Sequence, residues 1–218
     1  MKAIRACIFD LDGVIVDTAK HHFVAWQRLA DELSIPFTAE DNEQLKGLSR
    51  VDSLEVILAL GGLVLDAQTK LQLMEKKNAH YLELIATMSP DELLPGVELF
   101  IRQLRQENIA IALGSSSKNA PQILDLIGLK HVFQAIIDGN SITLSKPDPE
   151  VFALGARALG LHPSECLVFE DAQAGVEAAI SGGFPVIGVG TPESLQGADA
   201  VIPSFEGHSW AEIRALVH

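Results

Sequence analysis

One short apolar strand, then about seventy residues of helical pattern, then a regular strand–helix alternation: this layout constrains the chain most. The run from Ile4 to Phe9 is apolar and short, as a strand buried on both faces must be, and Asp10 follows at its C-terminal end. Residues 19 to 87 carry helical stripes (Phe23, Trp26, Leu29, Ala30 and Leu33, then Leu71, Met74, Tyr81, Leu82 and Ile85), broken at Ile35-Pro36 and Gly61-Gly62. From Pro95-Gly96 onward helices and strands alternate. Helices are expected at Val97 to Glu107, Ala120 to Ile127, Glu150 to Leu159 and Gln173 to Ser181. Strands are expected at Ile109 to Leu113, Ala135 to Ile137, Cys166 to Phe169, Pro185 to Val189 and Ala200 to Ile202. Such alternation specifies an α/β fold with a doubly wound parallel sheet. The first strand must rejoin that sheet. Residues 1–17 and 89–218 therefore read as one α/β core, and residues 18–88 as an inserted helical cap. Ligands of open α/β sheets bind beyond the carboxyl ends of the strands, where a helical lobe would act as a lid.

The charge balance narrows the partners. Sixteen Lys and Arg against 29 Asp and Glu leave a formal charge of −13, which repels a phosphate backbone and argues against nucleic acid. A small anion would need a local cluster of cations. The apolar run at the N-terminus is too short for a signal peptide, and no later stretch is long enough to span a membrane. Cys7 and Cys166 each lie inside an apolar run and read as reduced core residues of a cytoplasmic protein. No apolar seam suggests an oligomer, so a monomer is expected.

The strand ends carry the chemistry. They supply Asp10-Leu11-Asp12-Gly13, Gly114-Ser115-Ser116-Ser117, Ser145-Lys146-Pro147-Asp148 and Glu170-Asp171. Each set alone has a plain structural explanation. Asp-x-Asp-Gly makes a turn, Glu170-Asp171 and the serines make helix caps, and Asp148 ahead of Pro149 starts a helix. All four in order at strand ends are harder to explain that way. Four carboxylates on one edge cannot all stay ionised without cations. With no His or Cys cluster beside them, the donors suit Mg²⁺, one per site, with Lys146 adding a further positive charge. In the insert, Lys46 and Arg50 are spaced for one helical face if the segment is helical, and would form either a solvated basic pair or a grip for a second phosphate.

In order, these four signatures resemble those of the haloacid dehalogenase superfamily in its phosphotransferase form, along the whole chain. That resemblance implies a Rossmann-like core with a mobile cap. Within it, the stretch from Asp10 to Ala19, His22, Trp26, Lys46-Gly47 to Arg50, Lys77-Asn78 and Ser115 to Pro121 are similar to the β-phosphoglucomutase family. The resemblance implies the following roles. Asp10 is the nucleophile, and Asp12 is the general acid and base. Ser115 and Lys146 hold the transferring phosphoryl group. Asp10, the Asp12 carbonyl, Glu170 and Asp171 bind Mg²⁺. Thr18 and His22 sit at the hinge and help position Asp12. Lys46, Gly47, Arg50 and Ser53 belong to a cap specificity loop, and Lys77 contacts the sugar phosphate. Ser117 and Asn119, with Arg50, take the non-transferring phosphate, and Ser116, where family members often have alanine, contributes its backbone N–H. The implied reaction interconverts β-D-glucose 1-phosphate and glucose 6-phosphate, with glucose 1,6-bisphosphate as intermediate and activator. A sugar-phosphate or phosphoglycolate-type phosphatase with the same core, or a mutase acting on a related sugar phosphate, is the alternative. Intact Asp10 and Asp12 argue against a non-catalytic binder.

Overall fold

The computed structural model describes residues 3–217. Strand β1 (Ala6–Phe9) is followed by four helices: α1 (Ala19–Glu32), α2 (Ala39–Glu43), α3 (Arg50–Leu60) and α4 (Ala67–Ile85). The chain then runs α5 (Val97–Gln106), β2 (Ala110–Gly114), α6 (Ala120–Leu126), β3 (Ala135–Ile137), α7 (Glu150–Ala158) and β4 (Cys166–Glu170). It ends with α8 (Gln173–Ser181), β5 (Val186–Val189), β6 (Ala200–Ile202) and α9 (Trp210–Leu216). The six strands form one parallel sheet in the order β3-β2-β1-β4-β5-β6. The strand order reverses beside β1, so the crevice of this α/β sheet opens where β1 and β4 end.

β1 is central and wholly buried, which explains its unbroken apolar run. Its side chains alternate between the two faces. Cys7 and Phe9 enter one core layer, and Ala6 and Ile8 enter the other. Phe9 stacks on Phe169 of β4 at 4.8 Å between ring centroids, and Phe100 and Phe205 close the same cluster. That aromatic block fixes the strand end from which Asp10 emerges. Cys7 and Cys166 are free and buried.

Helices α1 to α4 enclose a separate core of Trp26, Leu29, Ile35, Phe37, Leu54, Ile57 and Leu58. Side-chain caps set their starts: Thr38 on α2, Ser49 on α3 and Asp66 on α4 each accept a backbone N–H from the first turn. The chain leaves and re-enters the sheet domain side by side. Val16 bridges Leu93 antiparallel, and the Leu94 N–H donates to the Ile15 carbonyl at 3.0 Å.

Two local expectations are corrected. Lys46 and Arg50 do not share a helix: α2 ends at Glu43, Gly47 takes φ +76°, and Ser49 caps a new helix that begins at Arg50. Asp148 is not the N-cap of α7. Pro149 occupies that position, and Asp148 Oδ1 accepts the Glu150 N–H from one residue further back. No described helix is long and apolar enough to cross a membrane.

Candidate active site

Register alone brings the strand-end residues together. Phe9 lies opposite Leu113 on one side and Phe169 on the other, so Asp10 sits between the ends of β2 and β4. Its N–H donates to the Phe169 carbonyl at 3.0 Å. Lys146, from the loop after β3, is fully buried beneath it. Its Nζ donates to Asp10 Oδ1 at 2.6 Å and also to Glu170 Oε1. Glu170 Oε2 accepts the Ala172 N–H, so this carboxylate is held from both sides. Ser115 Oγ accepts the Ser117 N–H and Ser117 Oγ accepts the Asn119 N–H, which curls the loop after β2 around the cleft. Gly13 makes room on the other flank. At φ +81° it has no side chain, and a Cβ there would lie 2.1 Å from Asp171 Oδ2.

Burial governs the electrostatics. The Asp12 carboxyl rises to about 7, pushed first by burial and then by the Asp10 charge, against the pull of Lys146 and Lys77. Its Oδ1 has no hydrogen-bond partner. A carboxyl titrating near neutrality can both give and take a proton at working pH. Burial also pushes Asp171 well above the usual carboxylate range, and the charges of Glu170 and Asp10 add to the push. Burial likewise raises Glu170, despite Lys146 beside it. Asp10, Glu170 and Asp171 against the single buried Lys146 leave two negative charges in excess. One divalent cation with a preference for hard oxygen donors matches that deficit. Among the described residues no three acidic, His or Cys side chains are already gathered in metal-binding geometry. The fit therefore rests on donor chemistry and charge.

The helical lobe presents the opposite charge. His22, on the first turns of α1, lies against the Tyr81 ring, with centroids 4.1 Å apart. Its Nδ1 is 2.8 Å from Lys77 Nζ, and its Nε2 is 4.0 Å from Asp12 Oδ1. Lys77, as a cation, donates to Nδ1; this leaves the ring proton on Nε2, facing Asp12. Lys77 is buried over the Trp26 and Tyr81 rings and falls to about 7, by burial and then by Arg50. Burial lowers His22 and Arg50 as well. No carboxylate forms an ion pair with Lys77 or Arg50 among the described residues to offset that burial. An anionic ligand would supply the missing counter-charge. Arg50 Nη2 donates instead to Asn78 Oδ1 at 2.8 Å, and Asn119 Nδ2 donates to the same oxygen at 2.9 Å. Ser116 Oγ donates to the Gly47 carbonyl at 2.9 Å. Both contacts join the lobe to the core across one cleft.

Comparison with known proteins places this arrangement. The family model for haloacid dehalogenase-like hydrolases matches residues 4–183. The chain belongs to that family. It is 45% identical over 205 residues to the β-phosphoglucomutase of Bacillus subtilis, covering 91% of this chain and 89% of that protein. It is 30% identical over 182 residues to a fructose-1-phosphate phosphatase of Escherichia coli, covering 84% and 94%. The crystal structure of β-phosphoglucomutase from Clostridium difficile superposes with a TM-score of 0.95 at 38% identity, covering 98% of this chain and 96% of that one. The parallel sheet and its inserted helices are thus the family's architecture.

Within this family frame the expected site residues divide into two groups. Asp10, Asp12, His22, Lys46, Gly47, Arg50, Ser53, Lys77, Ser115, Ser116, Ser117, Asn119 and Asp171 line one cleft. Thr18, Lys146 and Glu170 lie buried and do not line it. Both hydrogen bonds of Lys146 go to carboxylates, so here it orients Asp10. Lys46 pairs with Glu43 at 2.8 Å, and its charge draws the Asp171 carboxyl down against burial. Sequence reasoning assigned no site role to Asn42 and Lys118, which also line the cleft, or to Asn78 and Tyr81, which hold its walls. The signal for Asn78 lay in its position directly after Lys77, and for Lys118 in its place between Ser117 and Asn119.

Proposed function

We propose that this protein is a β-phosphoglucomutase that interconverts β-D-glucose 1-phosphate and glucose 6-phosphate through a phospho-aspartate at Asp10 and glucose 1,6-bisphosphate. One observation carries the reading. The cleft has two unlike ends, a nucleophile with an acid/base at one and an unneutralised cluster of Arg50, Lys77 and Asn119 at the other. A mutase must hold two phosphates at once, whereas a phosphatase needs only the first end. The 45% identity to the Bacillus subtilis mutase supports the same choice.

Asp10 attacks phosphorus and carries the phosphoryl group. Lys146 fixes the carboxylate by its hydrogen bond to Oδ1, which leaves Oδ2 for the attack. Asp12, protonated near neutrality, gives its proton to the departing oxygen and takes one back from the sugar hydroxyl on the return step. His22 Nε2–H stands 4.0 Å from Asp12 Oδ1 and steadies its ionised form. Arg50, Asn119 and Ser117 grip the phosphate that is not moving, and that anion favours the charged form of Lys77. Asp10, the Asp12 carbonyl, Asp171 and Glu170 would hold Mg²⁺, which when bound supplies charge neutralisation for the transferring phosphoryl group. The closed lobe excludes water from the aspartyl phosphate. Small sugar phosphates are its partners in this reading, and the protein acts as a cytoplasmic monomer.

A ³¹P NMR time course with Mg²⁺, β-glucose 1-phosphate and catalytic glucose 1,6-bisphosphate tests the proposal. Glucose 6-phosphate with little free phosphate is the expected result. Accumulation of inorganic phosphate in its place would overturn it in favour of a phosphatase.

A further inference from the structure

Asn78 touches neither the nucleophile nor the acid/base, yet its side-chain oxygen is where the lobe and the core meet. Arg50 Nη2, from α3, donates to Asn78 Oδ1 at 2.8 Å, and Asn119 Nδ2, from the loop after β2, donates to it at 2.9 Å. A guanidinium can only donate, so the atom facing Arg50 must be the amide oxygen. Asn119 must then turn its NH₂ towards that same oxygen. Two donors from two parts of the fold therefore converge on one neutral acceptor. No carboxylate does this work, although the chain is strongly acidic and Arg50 is more than half buried.

We propose that Asn78 is a positioning residue whose carbonyl oxygen stands in for a phosphate oxygen. It keeps Arg50 and Asn119 aimed at the second phosphate site until a sugar phosphate takes both donors from it. This rests on the mutase reading of the cleft. An acceptor here has to satisfy two opposed demands. It must bind the donors well enough to hold them, and it must release them to a dianion. A neutral amide does both. A carboxylate of the same shape would hold Arg50 as an ion pair and repel the incoming phosphate.

The chemistry makes an ordering that a purely structural role does not. Asn78→Asp keeps the size and both accepted hydrogen bonds, whereas Asn78→Ala loses them. If Asn78 only braced the fold, the Asp variant would bind ligand better than the Ala variant. If it is a placeholder for phosphate, the Asp variant is the worse of the two.

The test is calorimetric binding of glucose 6-phosphate, with Mg²⁺ present, to the wild type, Asn78→Ala, Asn78→Asp, Arg50→Ala and the Asn78→Ala/Arg50→Ala double variant. The Ala variant should bind about tenfold more weakly and the Asp variant about a hundredfold more weakly, as loss and reversal of charge-assisted contacts imply. In the Arg50→Ala background the Asn78→Ala loss should shrink to about threefold, because one of the two donors that Asn78 holds is gone and Asn119 remains. An Asp variant that binds as well as the Ala variant or better overturns the inference. So does an Asn78→Ala loss that persists undiminished without Arg50, or a wild type that does not bind glucose 6-phosphate. Binding is read here without turnover. A wild type that binds normally but fails to interconvert the glucose phosphates would sink the mutase reading alone, and the ordering of the variants would still decide the role of Asn78.

Discussion

Replacing Lys146 with Met should reveal how much the active site depends on one buried cation. The side chain is fully buried, bonded to Asp10 and Glu170, and 4.9 Å from the Phe152 ring centroid. Methionine fills much of the same volume without charge, so the cavity term is small. What remains is two buried carboxylates without their partner. Breaking a buried ion pair from one side costs about 3–5 kcal/mol. For a chain of this size each kcal/mol is worth roughly 2–4 °C, so the melting temperature should fall by about 6–20 °C.

The loss should also depend on pH. In the wild type Glu170 already stands at about 7, against 4.5 for an ordinary glutamate, chiefly through burial. An acid whose folded pKa is raised binds more protons folded than unfolded. Its contribution to stability is present below about 4.5 and declines as pH rises towards 7. Without Lys146 the folded value rises further, and the decline continues above 7. The variant's deficit should therefore be larger at pH 8 than at pH 5.5. A tenfold gain in the proton affinity of the folded carboxylate widens that difference by about 1.4 kcal/mol, and gains beyond the upper pH add no more. Thermal unfolding of both proteins in EDTA at the two pH values measures this. A deficit below about 2 °C at pH 8, or an equal deficit at both, would refute the view that Lys146 compensates two buried charges.

Asp10→Asn should retain the fold and lose all phosphoryl transfer; covalent phosphate still found on the variant by mass spectrometry would exclude Asp10 as nucleophile. Arg50→Ala should lower kcat/KM for β-glucose 1-phosphate by roughly 10- to 150-fold, the worth of a charged hydrogen bond, and reduce hydrolysis of a simple monophosphate much less. Equal losses would remove Arg50 from the second phosphate site. Ser116→Ala keeps the backbone N–H but deletes the hydroxyl that ties the core to the Gly47 carbonyl. Free phosphate released per turnover should rise by about two- to tenfold as the closed state loses one neutral hydrogen bond. An unchanged ratio would show that this bond does not help keep water out.

The core was legible in the sequence because its period is unambiguous. Strands buried on both faces must read as short apolar runs, and β3, β6 and α8 begin and end where the pattern places them. Parallel pairing then puts every strand end on one edge, so Asp10, Ser115 and Glu170 could be grouped before any geometry was known. The lobe was less legible at its loops. Lys46 and Arg50 fit a helical spacing, but one glycine at positive φ and one serine cap separate them, and spacing statistics do not see either. For Lys146 the sequence shows charge but not depth: its side chain is fully buried and bonded to Asp10 and Glu170.

Asn78 illustrates the deeper limit. Its role comes from three residues brought together from α3, α4 and the loop after β2, with sequence separations of 28 and 41. No local pattern can encode such a meeting. Charge explains why it exists. The core end of the cleft carries an excess of negative charge that a divalent cation would balance, and the lobe end carries cations that burial makes reluctant to charge. The two ends feel each other, since Lys77 lowers Asp12 and Asp12 raises Lys77, but burial outweighs that attraction at both groups. A ligand with a phosphate at each end, together with a metal ion, satisfies both at once. Closure then becomes most favourable when the bisphosphate is present, which is also when the aspartyl phosphate must be kept from water.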